Sequence, residues 1–256
     1  MYGAKGDGKT DDTFAIQAAL DDNSVVYFPD GAYMIDAVNM GIKPNNNQQM
    51  ILAPGAVLRA IPNGEQKSAV VYIHGVNNVS ISGGAIQGEK SNHTGSDGEW
   101  GHGVSIKAST RVTVNNVEIF DCWGDCICTG YDELYDDGGN AYDGNQCENI
   151  SILNCKLHDA RRQGISVCSG IDLVIRDCEI YNIAGSTSLS KITLAKRILR
   201  ELGKDESCIK FVADRKGHDR KYSLDTNKIK STLYWSANIS FDKGLYDTIK
   251  WIKEVF

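Results

Sequence analysis

The sequence predicts a mainly β fold, a parallel solenoid over residues 1–185, followed by a small α/β segment over residues 186–256. Three observations carry this. Four segments align without gaps: Asn78-Val-Ser-Ile-Ser-Gly-Gly-Ala-Ile86, Arg111-Val-Thr-Val-Asn-Asn-Val-Glu-Ile119, Asn149-Ile-Ser-Ile-Leu-Asn-Cys-Lys-Leu157 and Asp172-Leu-Val-Ile-Arg-Asp-Cys-Glu-Ile180. Composition splits at the same boundary. Residues 1–185 hold 23 of the 26 Gly and 12 Lys+Arg against 24 Asp+Glu, a balance of −12, whereas 186–256 hold 15 against 9, a balance of +6. The repeat then stops near Tyr181, and apolar residues recur at helical spacing.

Each repeat places apolar residues at its second, fourth and ninth positions, with Gly, Asn or Asp at the sixth. Period-2 alternation broken by a polar turn predicts two short strands meeting at a corner. Gly103–Ile106, Cys126–Cys128 and Gly164–Val167 supply a third strand to the first three units. Repeat starts lie 33, 38 and 23 residues apart, within the roughly 20–50-residue periods of solenoids. The longer intervals carry Gly- and Asp-rich insertions, 89–101 and 131–146, near the third strand, where solenoids build binding faces. Stacked Ile81, Val114, Ile152 and Ile175 are the expected core ladder.

After residue 186, Ile192, Leu194, Ala195, Ile198, Leu199 and Leu202 form a helical stripe closed by Gly203 as a C-cap. Cys208–Ala213 reads as a strand, and Phe241–Phe256 as a second amphipathic helix. Apolar runs such as Ala69–Ile73 are far too short to cross a bilayer, and no membrane or nucleic-acid partner is expected. The eight Cys include no paired Cys-x-x-Cys, so buried free thiols are expected rather than a zinc site or a disulfide framework. The first seven residues have no apolar leader-like run, so no secretory signal is expected at this start.

The opening segment, Tyr2-Gly-Ala-Lys-Gly-Asp-Gly-Lys-Thr-Asp-Asp-Thr-Phe-Ala-Ile-Gln-Ala-Ala-Leu20 followed by Val25-Val-Tyr-Phe-Pro-Asp-Gly-Ala-Tyr33, resembles the amino-terminal signature of the pectate-lyase-like superfamily. That superfamily includes rhamnogalacturonases, epimerases and phage tailspikes. The resemblance implies a right-handed parallel β-helix over residues 1–185, its first coil capped by a helix after Asp11-Asp12-Thr13. Those two carboxylates suit the helix start, where backbone N–H groups are free. Gly3-Ala-Lys-Gly-Asp-Gly-Lys-Thr10 also satisfies the Walker A expression. Only two residues precede it, no buried strand aims it, and a turn is expected instead of nucleotide binding.

Superposing the repeats places His102, Asp125 and Gln163 at one equivalent position and Asp121 and Asp159 at another four residues earlier, with Arg161 and Arg162 between them. Equivalent residues stack about 4.8 Å apart, a pitch that suits an extended polysaccharide. Hydrolysis would use two of Asp121, Asp125 and Asp159 as acid and base or nucleophile. β-Elimination would use Arg161, Arg162 or His102 around a uronate, with calcium on Asp132, Asp136 and Asp137 of the insertion. Gln163, Trp100 and Trp123 are the candidate substrate contacts. The alternative is a non-catalytic polysaccharide-binding module of tailspike type. Self-association is left open.

Residues 181–256 resemble the carboxy-terminal end of dTDP-glucose 4,6-dehydratases, through Ile198-Leu-Arg-Glu-Leu-Gly-Lys204, Phe211-Val-Ala-Asp-Arg-Lys-Gly-His-Asp-Arg-Lys-Tyr222 and Asp225-Thr-Asn-Lys-Ile-Lys230. The resemblance implies sugar-nucleotide contacts at Arg215 and His218, with Lys216 replacing the usual Pro. No Gly-x-x-Gly-x-x-Gly follows a strand, so NAD is not expected, and dehydratase chemistry would have no cofactor fold. The junction therefore reads as a fusion that cuts the solenoid short.

Overall fold

The computed structural model describes residues 2–135, 141–178, 185, 187–212 and 224–255. The chain divides into two compact units, Met1–Ile180 and Tyr181–Phe256.

The amino-terminal unit is mainly β and its large sheets are parallel. One six-stranded sheet runs in the order Asp7–Asp11, Gly31–Ile35, Ala56–Ala60, Ala85–Gln87, Glu118–Phe120, Lys156–His158. A second runs Val25–Phe28, Gln48–Leu52, Asn77–Ser82, Thr110–Asn115, Glu148–Leu153, Ile171–Arg176. The third has four strands, Lys67–His74, Trp100–Lys107, Ile127–Gly130 and Ile165–Val167. From Gln48 to Val167, successive passes of the chain each add one strand to each sheet. The insertion at 131–146 contributes an antiparallel pair, Glu133–Tyr135 with Ala141–Asp143.

Register follows the apolar ladders. Met50 pairs Ile81, Ile81 pairs Val114, Val114 pairs Ile152 and Ile152 pairs Ile175. Leu58, Ile86, Ile119 and Leu157 form the matching column of the first sheet, and Val71, Val104, Ile127 and Ile165 that of the third. Each fully buried Ile contributes roughly 1.5–3 kcal/mol over exposure. Ile175 departs from the expectation that it belongs to the core. It keeps the ladder pairing but is 42% exposed, because it lies on the terminal strand of its sheet.

The polar corners are left-handed. Gly83, Asn116, Asn154 and Asp177, the sixth residues of the four repeats, have φ of +76°, +56°, +52° and +55°, a region that Gly, Asn and Asp enter at least cost. Asn154 also donates from Nδ2 to Asn115 Oδ1 at 2.8 Å on the preceding coil.

The helix Thr13–Asp22 buries Ile16 and Leu20 in the core. Asp11 Oδ1 accepts the Thr13 N–H at 3.0 Å, as expected of a helix start. Asp12 does not cap the helix with its side chain. Its carboxylate instead accepts the N–H groups of Lys5 at 2.7 Å and Gly6 at 3.0 Å, closing the Gly-rich turn. Buried Gln48 receives the other end of the helix, donating to Leu20 O and Asn23 O.

In the second unit, the helix Lys191–Glu201 starts at Ser190, whose Oγ accepts the Thr193 N–H, and ends before Gly203 at φ +65°. Helices Asn227–Leu233 and Phe241–Val255 follow. An Arg197–Asp242 ion pair at 2.5 Å joins the first helix to the last. The strand expected over Cys208–Ala213 is corrected by the structure at residues 208–212, and Ala213 lies outside the described residues. Glu206–Cys208 is a 3-10 turn, residues 209–212 are irregular, and Phe211 is 87% exposed. A strand needs a partner to take its backbone hydrogen bonds, and none lies beside this segment among the described residues. Ile229 and Ile249 are this unit's buried apolar side chains among the described residues.

Candidate functional site

The third sheet carries the site. Its alternate residues Val71, Ile73, Val104, Ile106, Ile127 and Thr129 are buried. The residues between them turn outward, and Tyr72, His74, Ser105, Lys107 and Cys128 line a cleft of about 360 Å³ with Lys67, Trp100, His102 and Tyr131. Trp100 is 45% exposed, and the Lys67 ammonium lies 5.2 Å from its ring centroid. Ser105 Oγ and His74 Nε2 are 2.8 Å apart.

His102 and Asp125 occupy equivalent places, two residues before the in-register pair Val104 and Ile127, and both are buried. The Asp125 N–H donates to His102 Nδ1 at 3.2 Å, and Asp125 Oδ2 lies 3.6 Å from the same nitrogen. Asp125 Oδ1 accepts the Gln163 N–H at 3.0 Å. An imidazole whose Nδ1 accepts in this way carries its proton on Nε2, as a donor. Burial pushes the His102 pKa below its ordinary value, Asp125 opposes this, and Lys107 and Arg162 add to it. Cys128 is raised to about 12, first by burial and then by Cys168 and Asp125, so its thiol is not a free nucleophile at neutral pH.

The other candidates of the sequence have contacts within the unit. Asp121 and Asp159 sit at left-handed corners with φ of +58° and +54°. Buried Asp121 accepts from the Ser91 N–H at 3.0 Å, the Ser91 hydroxyl at 2.6 Å and Gln87 Nε2 at 3.2 Å. Asp159 is exposed, and its hydrogen bond from His158 at 2.8 Å holds its pKa below the usual range. Arg161 stacks its guanidinium 4.0 Å from the Trp123 centroid and donates to Gly98 O. Arg162 pairs Glu99 at 2.7 Å and stands 3.9 Å from Asp125.

Trp123 is occupied as well. His93 stacks on it at 3.7 Å and 13°, and its Nε1–H donates to Asp97 O at 3.2 Å. Gln163 receives the Ser166 hydroxyl at its Oε1. Of the three carboxylates read as calcium ligands, Asp132 is partly buried, with its Oδ1 shielded and unpartnered. Asp136, Asp137, Arg215 and His218 lie outside the described residues.

Lys67, Tyr72, Lys107 and Cys128 were not singled out by the motifs. The alternation of the third strands was the signal that reaches them, since Tyr72, Ser105 and Cys128 are the outward partners of one register row.

The two resemblances read from the sequence are found by comparison. Residues 1–72 match the family model described as Rhamnogalacturonase A/epimerase, pectate lyase-like. The chain is 31% identical over 189 residues to the SPbeta prophage-derived uncharacterized protein YorA of Bacillus subtilis, covering 67% of this chain and 32% of that protein. It is 40% identical over 100 residues to the dTDP-glucose 4,6-dehydratase of Streptomyces niveus, covering 37% and 30%. The chain thus spans about a third of the length of the curated relatives it matches. Among solved structures, the bacteriophage phi29 gene product 12 amino-terminal fragment aligns with a TM-score of 0.56 at 23% identity, covering 72% of this chain and 37% of that one. The Azotobacter vinelandii mannuronan C-5 epimerase AlgE4 A-module aligns at 0.50 and 21%, covering 69% and 57%. The tailspike gp49 of Acinetobacter baumannii bacteriophage Fri1, a capsular polysaccharide depolymerase, aligns at 0.51 and 16%, covering 66% and 31%. These structural likenesses show the fold.

Proposed function

We propose that the amino-terminal unit, a pectate-lyase-like solenoid, binds an acidic polysaccharide along the outer face of its third sheet and acts on it by β-elimination. The observation that carries this is the cleft itself. It combines an exposed indole face at Trp100, two ammonium groups at Lys67 and Lys107, and the Nε2–H of His102. An aromatic face suits a sugar ring, and paired cations with a donor suit a uronate carboxylate. Neutral His74 in the same cleft would take the α-proton, the leaving oxygen would take a proton from solvent, and the same charges would stabilise the enolate-like state of elimination. Calcium on the insertion around Asp132, whose shielded Oδ1 lacks a partner, would add positive charge.

Hydrolysis by paired carboxylates is supported less well. It needs two carboxyl groups flanking one bond, about 5–9.5 Å apart, and here Asp121 is saturated by Ser91 and Gln87 while Asp159 is turned to His158. In this reading the solenoid is right-handed, and the helix Thr13–Asp22 is its amino-terminal cap. Binding without cleavage is the second reading, favoured by the internal contacts that occupy Arg161 and Arg162. No chemistry is assigned to the dehydratase-like unit.

Incubation with polygalacturonate and polymannuronate, following unsaturated-uronate absorbance and reducing ends together, tests the proposal. Both signals rising supports elimination. Reducing ends alone indicate hydrolysis, retention on an immobilised polyuronate without either signal indicates a binding module, and absence of all three refutes the reading.

A further inference from the structure

We propose that His102, Asp125 and Cys128 form a site for one thiophilic divalent cation of the zinc type, beside the cleft. A nitrogen, a carboxylate oxygen and a sulfur from these residues all lie within 4.8 Å of one another. The fold brings them together from neighbouring strands. Cys128 is the outward residue between buried Ile127 and Thr129, while Asp125 and His102 are equivalent residues of adjacent coils.

An ion about 2.0–2.3 Å from each donor requires donors about 3.3–3.8 Å apart. His102 Nδ1 and Asp125 Oδ2 already stand 3.6 Å apart. Cys128 need close only about 1 Å, within the reach of a side-chain torsion. The Gln163 N–H holds Asp125 by its other oxygen, leaving Oδ2 toward the imidazole.

Donor chemistry selects the metal. Calcium seeks six to eight oxygens, whereas one thiolate, one imidazole and one carboxylate suit zinc or cobalt. Three protein ligands with an open cleft leave a coordination position for solvent or ligand. Cys168 also lines the cleft but is not one of these clustered donors, so Cys128 is the one thiol of the site. On binding, the Cys128 S–H bond breaks, its proton passes to solvent, and a sulfur–metal bond forms. The hydrogen bond from the Asp125 amide to His102 Nδ1 gives way to a nitrogen–metal bond.

Titration of the full chain with cobalt(II) tests the site without any polysaccharide, so its failure is separate from failure of the elimination reading. One equivalent with a thiolate-to-cobalt charge-transfer band is expected. Cys128→Ser should remove the band and weaken binding at least ten-fold, whereas Cys208→Ser should leave both unchanged. In the unsubstituted chain, zinc added to the cobalt-loaded protein should displace the cobalt and abolish the band at about one equivalent. Absence of the band, its survival in Cys128→Ser, or its persistence under excess zinc overturns the proposal.

Discussion

Gly103 and Gly164 occupy the same place in two coils, each one residue before an in-register third-strand residue, Val104 and Ile165. Both have ordinary backbone angles, so an Ala at either site is judged on space alone. A Cβ on Gly103 would meet Ile119 Cγ2 at 2.5 Å, Cys126 O at 2.8 Å and Cys122 Sγ at 3.1 Å. Carbon atoms rest about 3.5–4.0 Å apart, so the methyl must open roughly 1 Å in a close-packed interior. Ile119, Cys122 and Cys126 are fully buried, and one obstacle is a backbone carbonyl that cannot rotate away. Gly103→Ala should therefore cost about 2–3 kcal/mol, the upper part of the overpacking range. That corresponds to a fall of about 4–12 °C in melting temperature at this chain size. At Gly164 the same Cβ meets only Leu157, at 3.4 and 3.9 Å. Gly164→Ala should lie within about 0.5 kcal/mol of the parent, or stabilise it slightly by restricting the unfolded chain. Urea and thermal unfolding followed by circular dichroism measure both. Equal costs at the two sites, or a Gly103→Ala cost below about 0.5 kcal/mol, would refute the packing described for the third sheet.

Two further consequences concern the buried carboxylates. Ser91→Ala removes the hydroxyl that bonds Asp121 at 2.6 Å and should destabilise by about 1.5–3 kcal/mol, measured by denaturant midpoint. Burial raises Glu89 above its ordinary 4.5, against the hydrogen bond from His93. A raised carboxyl contributes stability below its unfolded value, and that contribution is lost as pH rises through the folded value. Glu89→Gln should therefore be more stable than the parent at pH 7, with the advantage vanishing as pH falls toward 4.5, as read from melting curves across that range.

The coils were legible because their constraints are local. Alternating Ile and Val define a face, and Gly83, Asn116, Asn154 and Asp177 mark corners that few other residues enter cheaply. The coil of Gln48–Leu52 and Ala56–Ala60 escaped the repeat alignment although Met50 and Leu58 lie in register with Ile81 and Ile86. Its Pro54-Gly55 turn differs from the later Asn and Asp corners.

The site left a weaker trace in the sequence than the coils did, for a physical reason. An Asp at a corner can serve the backbone or a ligand, and sequence does not show where its carboxylate points. Asp121 and Asp125 are four residues apart, yet one is spent on Ser91 and Gln87 while the other faces His102. The equivalence of His102, Asp125 and Gln163 could be read because strand register preserves it. The two tryptophans could not be told apart. Trp123 is enclosed by His93 and Arg161, and Trp100 lines the cleft, through contacts from residues distant in sequence.

Calorimetric titration of an acidic oligouronide into the parent chain, Trp100→Ala and Lys107→Ala most directly tests the claim that this cleft is the polysaccharide site. Trp100 is exposed and Lys107 lies on the outer face, so both variants should fold as the parent does. Saturable binding that each substitution weakens about ten-fold, with a neutral oligosaccharide failing to bind, is the predicted result. Binding of equal strength in all three proteins, or no preference for the acidic sugar, would contradict it.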